Sequence, residues 1–243
     1  KNNFDYSRRL AEYAIRQGSR MVYASSAATY GDGALGFDDD EAQALQLRPL
    51  NMYGYSKQLM DQYLLQRGLF GEKNPGGASF VGLKYSNVFG PNEYHKAHMR
   101  SMVLRAYEQI MSEGKVRLFK SYKTEYEHGM QLRDFLYVKD AADMSCFFIA
   151  EGRHCRGLYN IGYGKTRSWL DLAEAMFAAL DKESNIEFID MPEELKEKYQ
   201  YYTCLNMDKL RKAGYHKPLS SLELAVKDYA RYLQKKAHLG DLE

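Results

Sequence analysis

The sequence has few cysteines, little excess charge and no long apolar run, and each shortage narrows the class of protein. Its three cysteines, Cys146, Cys155 and Cys204, show no Cys-x-x-Cys spacing, which favours thiols in a reducing, cytoplasmic setting over a disulfide framework. The 34 basic and 32 acidic residues are interspersed and leave a formal net charge of +2, which predicts no binding to nucleic acid or to an anionic membrane. No apolar run has the length of about 18 residues that predicts a membrane-spanning helix.

Apolar and amphipathic stretches alternate along the chain, which predicts an α/β fold around a parallel sheet. Strands are predicted at Met21–Ala24, Phe80–Tyr85, Val116–Phe119, Asp134–Val138, Leu158–Gly162 and Ile186–Ile189. Helices are predicted at Tyr6–Arg16, Asn51–Gln66, Ser101–Met111, Ala141–Ala150, Leu170–Leu180, Met207–Ala213 and Leu222–Lys235. Strand, helix and strand at this spacing form a crossover, and a crossover joins parallel strands.

Tyr53 and Lys57 lie four residues apart on a predicted helix, so their side chains project from one face. A phenol is too weak an acid to serve as a base at neutral pH, but a nearby ammonium group stabilises the phenolate. The pair could therefore transfer a proton. The same spacing is also that of an ordinary surface pair, which is the commoner case in a chain with 21 tyrosines.

Polar side chains also follow or open the predicted strands, where an open parallel sheet binds its ligands. Ser25 and Ser26 follow the first strand, Asn87 and Val88 follow the second, and Arg133 precedes the Asp134–Val138 strand. Each has a purely structural alternative: hydroxyl capping of a turn, an ordinary Asn-to-Gly-Pro loop, or a surface Arg-Asp pair. No single segment decides between the two interpretations.

In their order and spacing, the segments resemble the extended short-chain dehydrogenase/reductase family of nucleotide-sugar enzymes. The resemblance covers essentially the whole chain and consists of Ser25-Ser26 with Tyr30-Gly31, Tyr53-x-x-x-Lys57, Asn87-Val88-Phe89-Gly90-Pro91, Arg133-Asp134-Phe135-x-Tyr137-Val138 and Asn160-Ile161-Gly162. Two further stretches, His95-Lys96 with Met99 and the run from Leu195 to Thr203, resemble the ADP-L-glycero-D-manno-heptose 6-epimerase branch, bacterial enzymes that supply heptose for lipopolysaccharide.

The resemblance implies a Rossmann-like, doubly wound parallel sheet with a smaller α/β substrate-binding domain. Residues 1–86, 138–164 and 201–218 are expected to form the carboxyl half of the dinucleotide-binding domain, and residues 87–137, 165–200 and 219–243 the substrate domain. The glycine-rich dinucleotide fingerprint of the family, Gly-x-Gly-x-x-Gly in the first strand and turn, is expected to be absent from this chain. We therefore expect the amino-terminal strands and that fingerprint to lie upstream of this chain, in a longer protein that forms a homo-oligomer.

The activity implied by the resemblance is epimerisation at C6″ of a small-molecule nucleotide sugar, ADP-D-glycero-D-manno-heptose, with bound NADP or, alternatively, NAD. A secondary carbinol carbon without an acidic neighbouring C–H is inverted by removing a hydride and returning it to the other face. Each face then needs its own proton acceptor and donor, and the resemblance assigns these roles to Tyr53 and Lys96. It also implies that Lys57 holds the nicotinamide ribose and that Ser26 hydrogen-bonds the reacting oxygen.

The binding residues are likewise assigned by resemblance. The cofactor contacts are Asn3, Ser25, Tyr53, Lys57 and Val88. The substrate contacts are Ser26, Asn87, His98, Arg105, Phe119, Lys120, Ser121, Tyr122, Arg133 and Tyr199. Arg133 suits a diphosphate because its guanidinium fork binds two phosphate oxygens at once.

Three alternatives concern the chemistry of the site. His95 and His98 have a spacing that could suggest a metal site, but no further ligand accompanies them, so no metal is expected. Another nucleotide-sugar 4-epimerase or dehydratase of the same family would share most of these segments. A non-catalytic family member that binds NADP would share them too.

Overall fold

The computed structural model describes residues 2–72, 74–196 and 199–242, through which helices and strands alternate. The helices are α1 (Ser7–Gln17), α2 (Glu41–Ala44), α3 (Met52–Gln66), α4 (Met102–Glu113), α5 (Val138–Ala150), α6 (Trp169–Ala179), α7 (Glu193–Lys196), α8 (Asp208–Lys212) and α9 (Leu222–Lys235). The strands are β1 (Arg20–Ser26), β2 (Ser79–Tyr85), β3 (Asn87–Phe89), β4 (Val116–Phe119), β5 (Leu132–Arg133), β6 (Phe135–Tyr137), β7 (Gly157–Ile161), β8 (Arg167–Ser168) and β9 (Ile186–Ile189). Short 3₁₀-helices include Ala27–Tyr30 and Tyr94–Met99.

Residue contacts divide the chain into two compact units. The first unit comprises Lys1–Ser86, Ala142–Gly164 and Cys204–Lys217. The second comprises Asn87–Ala141, Lys165–Thr203 and Pro218–Glu243. The roles predicted for two domains, dinucleotide binding and substrate binding, remain predictions for these units.

A parallel sheet in the order β1-β2-β7 forms the centre of the first unit, which confirms the predicted α/β class. Its register places Ser25 opposite Lys84, and Lys84 opposite Asn160. Three polar side chains therefore lie side by side near the carboxyl ends of the strands. Ligands of open parallel sheets bind at this edge.

Helix α3 begins beside the end of β1, and two residues fix its position. Asn51 caps the helix, since its Oδ1 accepts a hydrogen bond from the main-chain nitrogen of Gly54 at 2.9 Å. A Cβ atom on Gly54 would lie only 2.6 Å from the main-chain oxygen of Ala28. Glycine is therefore required at this point of α3 for its close approach to the turn that follows β1.

A buried ion pair ties α3 to the sheet. Asp61 of α3 and Lys84 of β2 have side chains 0% and 1% exposed, and Lys84 Nζ lies 3.1 Å from Asp61 Oδ2. The Asp61 carboxylate also accepts hydrogen bonds from the hydroxyls of Tyr23 (2.8 Å) and Ser25 (2.7 Å). The Lys84 ammonium donates a second bond to Thr29 Oγ1 at 2.6 Å. The pair thereby connects α3, β1, β2 and the turn after β1.

The second unit contains three pairs of short strands and an apolar core. Strands β3 and β6 are parallel, β4 and β9 are parallel, and β5 and β8 are antiparallel. Buried side chains of α4, α6 and α9 fill the core, among them Leu104, Ile110, Met176, Phe177, Val226 and Tyr229. The amphipathic spacing of these helices accounts for this burial, because apolar residues recur on one helical face.

The structure differs from the sequence-based prediction in several places, including the four-residue helices α2 and α7, which were not predicted. Helix α5 begins at Val138, where a strand was predicted to continue, and Asp140 in its first turn favours a helix start there. Strands β3, β5 and β8 were not predicted as separate elements. They contain two or three residues each, which is too short for a periodic pattern to be visible.

The spacing Gly-x-Gly-x-x-Gly does occur in the sequence, at Gly31, Gly33 and Gly36, in the loop after β1. All three glycines have positive φ values, of 65°, 82° and 79°. The loop continues through residues 37–40 before the four-residue helix α2, so these glycines do not open a long helix. They form turns, and the setting of the dinucleotide fingerprint is not met here.

Within residues 2–72, 74–196 and 199–242, no helix is both long and apolar enough to span a bilayer. The same ranges contain no group of three or more His, Cys, Asp and Glu residues arranged to hold a metal ion.

Removal of one partner of the buried pair should destabilise the first unit. Asp61→Asn is expected to lower the free energy of unfolding by about 3–5 kcal/mol, because Lys84 would remain buried without a counter-charge. Lys84→Met should lower the free energy of unfolding by a similar amount, because Asp61 would then be the buried charge without a partner. The free energy of unfolding of the Asp61→Asn/Lys84→Met double variant should fall by less than the sum of the two single losses, by at least about 1 kcal/mol. Urea unfolding followed by circular dichroism measures all three values.

An exposed ion pair provides the control for this cycle. Glu187→Gln removes the partner of Lys115, and the two side chains are 43% and 32% exposed. Exposed pairs contribute little to stability, so this variant should unfold like the unaltered protein. Additive losses for Asp61 and Lys84 would show that their coupling is not important.

Candidate active site

The carboxyl end of β1 carries Ser25 and Ser26, both buried, at 2% and 8% exposure. Ser25 is committed to the Asp61 carboxylate. Ser26 caps the following 3₁₀-helix, because its Oγ accepts a hydrogen bond from the main-chain nitrogen of Ala28 at 3.1 Å. Its main-chain oxygen accepts a bond from Thr29 Oγ1 at 2.7 Å. These bonds hold the Ser26 hydroxyl in one orientation at the strand end.

Lys57 of α3 reaches the same strand. Its Nζ donates a hydrogen bond to the main-chain oxygen of Ala24 at 2.9 Å and lies 6.0 Å from the centroid of the Tyr53 ring. Burial lowers the pKa of Lys57, and the negative charge of Asp61 opposes that shift. Tyr53 is 53% exposed. The arrangement places an accessible phenol beside a half-buried cation.

Asn3 also contacts α3. Its Nδ2 donates a hydrogen bond to Ser56 Oγ at 3.0 Å, and Ser56 Oγ donates to the main-chain oxygen of Tyr53 at 2.7 Å. The first unit thus brings together Asn3, Ser25, Ser26, Tyr53 and Lys57. These are all the residues that the sequence assigns to catalysis or cofactor binding within this unit.

In the second unit, Lys96 lies in the exposed 3₁₀-helix Tyr94–Met99. Among the residues that the structure describes, none forms a hydrogen bond or an ion pair with its ammonium group. The main-chain oxygen of His98, two residues later, accepts a hydrogen bond from the Arg105 guanidinium of α4. His98 and Arg105 are therefore neighbours in the structure.

Asn87 and Val88 open this unit on strand β3. Asn87 is exposed, and its main-chain nitrogen donates a hydrogen bond to the oxygen of Asp134 at 3.1 Å. Val88 is partly buried and pairs with Leu136 of β6. The backbone of β3 is held by β6, while the Asn87 side chain remains accessible.

Arg133 is buried at 6% exposure between two aromatic rings. Its guanidinium carbon lies 5.4 Å from the centroid of Trp169 and 5.2 Å from that of Tyr199. The guanidinium donates to the main-chain oxygens of Leu132, at 2.8 Å, and Gln200. Burial lowers its pKa. None of the carboxylates in the described part of the chain forms an ion pair with it, which leaves a buried cation that suits an anionic ligand.

The rings of Phe119 and Tyr199 extend this aromatic cluster, with centroids 6.3 Å apart in an edge-to-face arrangement. Burial raises the pKa of Tyr199, and the Arg133 charge opposes the shift. The structure therefore brings Phe119, Arg133 and Tyr199 together, although they are distant in sequence. An aromatic face beside a guanidinium can accommodate a nucleotide base next to its phosphates.

The loop after β4 contains the remaining predicted substrate residues. Lys120 Nζ and the Tyr122 hydroxyl each lie 3.1 Å from Asp190 Oδ1, so a single carboxylate engages both. Ser121 and Tyr122 line an open pocket of about 470 Å³. All residues lining it belong to this loop: Ser121, Tyr122, Lys123, Thr124, Tyr126, Glu127 and His128.

Several residues around these groups were not identified from the sequence. Asp61 and Lys84 support the Tyr53 helix, Trp169 stacks on Arg133, and Asp190 engages Lys120. Two of them, Asp61 and Lys84, could have been identified from the sequence. Asp61 follows Lys57 at helical spacing, and Lys84 interrupts an otherwise apolar strand, where a charge requires a partner.

Comparisons with known proteins are consistent with this geometry. The family model described as "NAD dependent epimerase/dehydratase family" matches residues 1–162. An ADP-L-glycero-D-manno-heptose-6-epimerase of Nitratidesulfovibrio vulgaris (strain DP4) is 50% identical over 231 residues, which are 95% of this chain and 69% of that protein. The protein of the same name from Fusobacterium nucleatum subsp. nucleatum is 45% identical, over 96% of this chain and 71% of its own length.

A solved structure is also similar. The crystal structure of the Helicobacter pylori ADP-L-glycero-D-manno-heptose-6-epimerase matches with a TM-score of 0.74 and 28% identity, over 96% of this chain and 65% of that one. The chain thus spans about two thirds of the length of these relatives. The matched residues include β1, the Tyr53 helix, β2 and β7. The chain belongs to the NAD dependent epimerase/dehydratase family.

Proposed function

We propose that the protein epimerises C6″ of ADP-D-glycero-D-manno-heptose to give the L-glycero epimer, with a nicotinamide nucleotide that, when bound, would accept the hydride and return it. The observation that carries the proposal is the arrangement of Tyr53 and Lys57 at the end of β1. An accessible phenol and a half-buried ammonium share one helical face there, and the ammonium is fixed on Ala24. The identity of 50% to a named heptose epimerase selects the substrate within the family.

Tyr53 is the proton acceptor and donor for one face of the reacting carbon. In one direction of the reaction, Tyr53 accepts the proton of the C6″ hydroxyl on its face as hydride leaves, and the Lys96 ammonium donates the proton that regenerates the hydroxyl when hydride returns to the other face. Ser26, whose hydroxyl is oriented by its bond with Ala28, hydrogen-bonds the reacting oxygen. Lys96 serves the opposite face, and its ammonium is not committed to another group within the described residues.

The residues at the end of β1 fit the ribose end of a nicotinamide nucleotide. Lys57 presents a desolvated ammonium donor, and Asn3 and Ser25 lie around the same helix and strand. When bound, the nucleotide supplies a reversible hydride acceptor. We infer NADP as the nucleotide from the family resemblance, with NAD as the alternative. A homo-oligomer is proposed on the same basis, and a cytoplasmic setting is proposed from the three cysteines without Cys-x-x-Cys spacing.

Arg133 binds the diphosphate of the substrate in this proposal. It is buried between Trp169 and Tyr199 and has no carboxylate partner within the described residues, so a phosphate can take that place. A planar fork that donates two hydrogen bonds matches two phosphate oxygens. Phe119 and Tyr199 supply apolar surface for the adenosine.

The activity can be tested directly on the full-length protein. Incubation with NADP and ADP-D-glycero-D-manno-heptose should yield the L-glycero epimer, followed by NMR at C6″. Tyr53→Phe should lower kcat by about 100-fold or more, because the ring remains but the proton acceptor is lost. Tyr55→Phe, on the same helix and 48% exposed, is the matched control and should keep the rate. Absence of the epimer with the unaltered protein would refute the proposal.

Lys96 distinguishes this enzyme from other nucleotide-sugar enzymes of the family. In a two-base reaction, Lys96→Met should lower kcat by about 100-fold, because one face loses its proton donor. A 4-epimerase or dehydratase that uses Tyr53 alone would keep most of its rate, and would turn over UDP-sugars. Lys115→Met, at an exposed site of the same unit, serves as the control.

Arg133 should affect substrate binding more than turnover. Arg133→Lys keeps the positive charge but loses the bidentate fork and the aromatic stacking. We expect KM for the nucleotide sugar to rise about tenfold with a smaller change in kcat, as removal of one charge-assisted hydrogen bond predicts. The exposed Arg117→Lys should leave KM unchanged. A fall in kcat at constant KM would argue against a role in binding the diphosphate.

A further inference from the structure

The buried carboxylate of Glu93 links the two ends of the segment that carries Lys96. Glu93, 3% exposed, precedes the 3₁₀-helix Tyr94–Met99, and Ser101 follows it. Glu93 Oε2 accepts a hydrogen bond from the main-chain nitrogen of Ser101 at 2.6 Å, and Oε1 accepts one from Ser101 Oγ at 2.5 Å. Residues 94–100 therefore form a loop whose two ends, Glu93 and Ser101, are joined by two hydrogen bonds.

The same carboxylate fixes this loop to the core. Its Oε1 also accepts a hydrogen bond from the hydroxyl of Tyr229 at 2.9 Å, and Tyr229 is a fully buried residue of α9. Burial, reinforced by the Glu93 charge, raises the pKa of Tyr229, so the phenol stays a hydrogen-bond donor. None of the described cations forms an ion pair with Glu93. Burying a carboxylate that is hydrogen-bonded only to neutral donors lowers the stability of the fold. A hydrophobic residue at this position could fill the same space at lower free energy.

The backbone between these ends is held in an unusual conformation. Ala97, next to Lys96, has φ 47° and ψ −119°, a region that residues with a side chain rarely adopt. The main-chain oxygen of Ala97 accepts a hydrogen bond from Arg100 Nε at 2.7 Å, and the nitrogen of Lys96 donates to the oxygen of Glu93 at 3.0 Å. Such a conformation persists only where its surroundings enforce it.

Helix capping alone does not account for the arrangement. Ser101 already caps α4 through its Oγ, which accepts a hydrogen bond from the nitrogen of Leu104 at 3.3 Å. That cap would form without an acidic residue at position 93. The additional carboxylate joins the two ends of residues 94–100, and the exposed ammonium in that segment is Lys96.

We propose that Glu93 is a positioning residue that acts through Lys96: by joining Ser101 and Tyr229 it holds the Lys96 segment in the geometry for proton transfer. The inference rests on the proposed function, in which Lys96 is the second base. Glu93 touches neither substrate nor cofactor in this scheme. Its contribution is orientation, and a misplacement of about 1 Å can lower a rate by about 100-fold.

A double-mutant cycle on kcat of the full-length protein tests the inference. Glu93→Gln keeps the shape of the side chain but turns one acceptor oxygen into a donor, which faces the donors of Ser101 and Tyr229. With Lys96 present, this change should lower kcat by about tenfold or more while KM changes by less than about twofold. With Lys96→Met already in place, the same change should lower kcat by less than about twofold, since the group it positions is gone.

Two further variants keep the test decisive. Ser101→Ala removes the hydrogen bond from Ser101 Oγ to Glu93 and keeps the one from the Ser101 main-chain nitrogen. It should lower kcat by less than Glu93→Gln does, and only when Lys96 is present. Asp228→Asn is the matched control. Asp228 lies beside Tyr229 in α9 and accepts hydrogen bonds from Tyr137 at 2.5 Å and Lys139 at 2.7 Å. It should lower the melting temperature and leave kcat unchanged.

The possible outcomes separate the inference from the function. Equal losses for Glu93→Gln in both backgrounds, or no loss in either, would overturn the positioning role while leaving the epimerase proposal intact. A Lys96→Met variant that keeps its full rate would instead refute the two-base reaction itself, and the positioning role with it. If Glu93→Gln fails to fold, the Ser101→Ala pair of measurements decides by the same criterion.

Discussion

The first unit depends on the burial of one ion pair, Asp61 with Lys84. A charged pair at 0% and 1% exposure is tolerated because both groups have further hydrogen-bond partners: Tyr23 and Ser25 donate to Asp61, and Lys84 donates to Thr29. These partners lie on β1 and on the turn after it. The strand end that presents Ser26, and the helix that presents Tyr53, therefore have their relative position fixed by one polar network and not only by apolar packing.

The second unit handles a buried charge differently. Arg133 is enclosed by Trp169 and Tyr199 and bonded to main-chain oxygens, but no carboxylate in the described part of the chain neutralises it. Stacked rings and carbonyl dipoles compensate a guanidinium only in part. A cation that is paired with a carboxylate has only a structural role. The unpaired positive charge of Arg133 can still attract an anion. The contrast between Lys84 and Arg133 separates a charge that is paired within the fold from one that has no acidic partner among the described residues.

The sequence predicted the elements whose signals are local. Apolar periodicity located α4 and α9, and the start of α3 is also marked locally, because the hydrogen bond from the Gly54 nitrogen to the Asn51 side chain spans three residues. The interactions it did not predict join distant positions: Glu93 meets Tyr229, 136 residues away, and Arg133 stacks on Tyr199. Two-residue strands such as β5 exist only through their partners. A family resemblance assigned roles to Tyr53 and Lys96, but it did not identify the groups that support them.

Those supporting groups follow a common physical logic. Asp61 lies one helical turn beyond Lys57 and opposes the pKa shift that burial imposes on it, and Glu93 closes the segment that carries Lys96. Burying a carboxylate is unfavourable, so a fold selected for stability alone would place apolar side chains at both positions. Each acid instead lies directly behind an element that presents a proposed proton-transfer group. In the proposed reaction, these two buried acids contribute orientation more than stability, one in each unit.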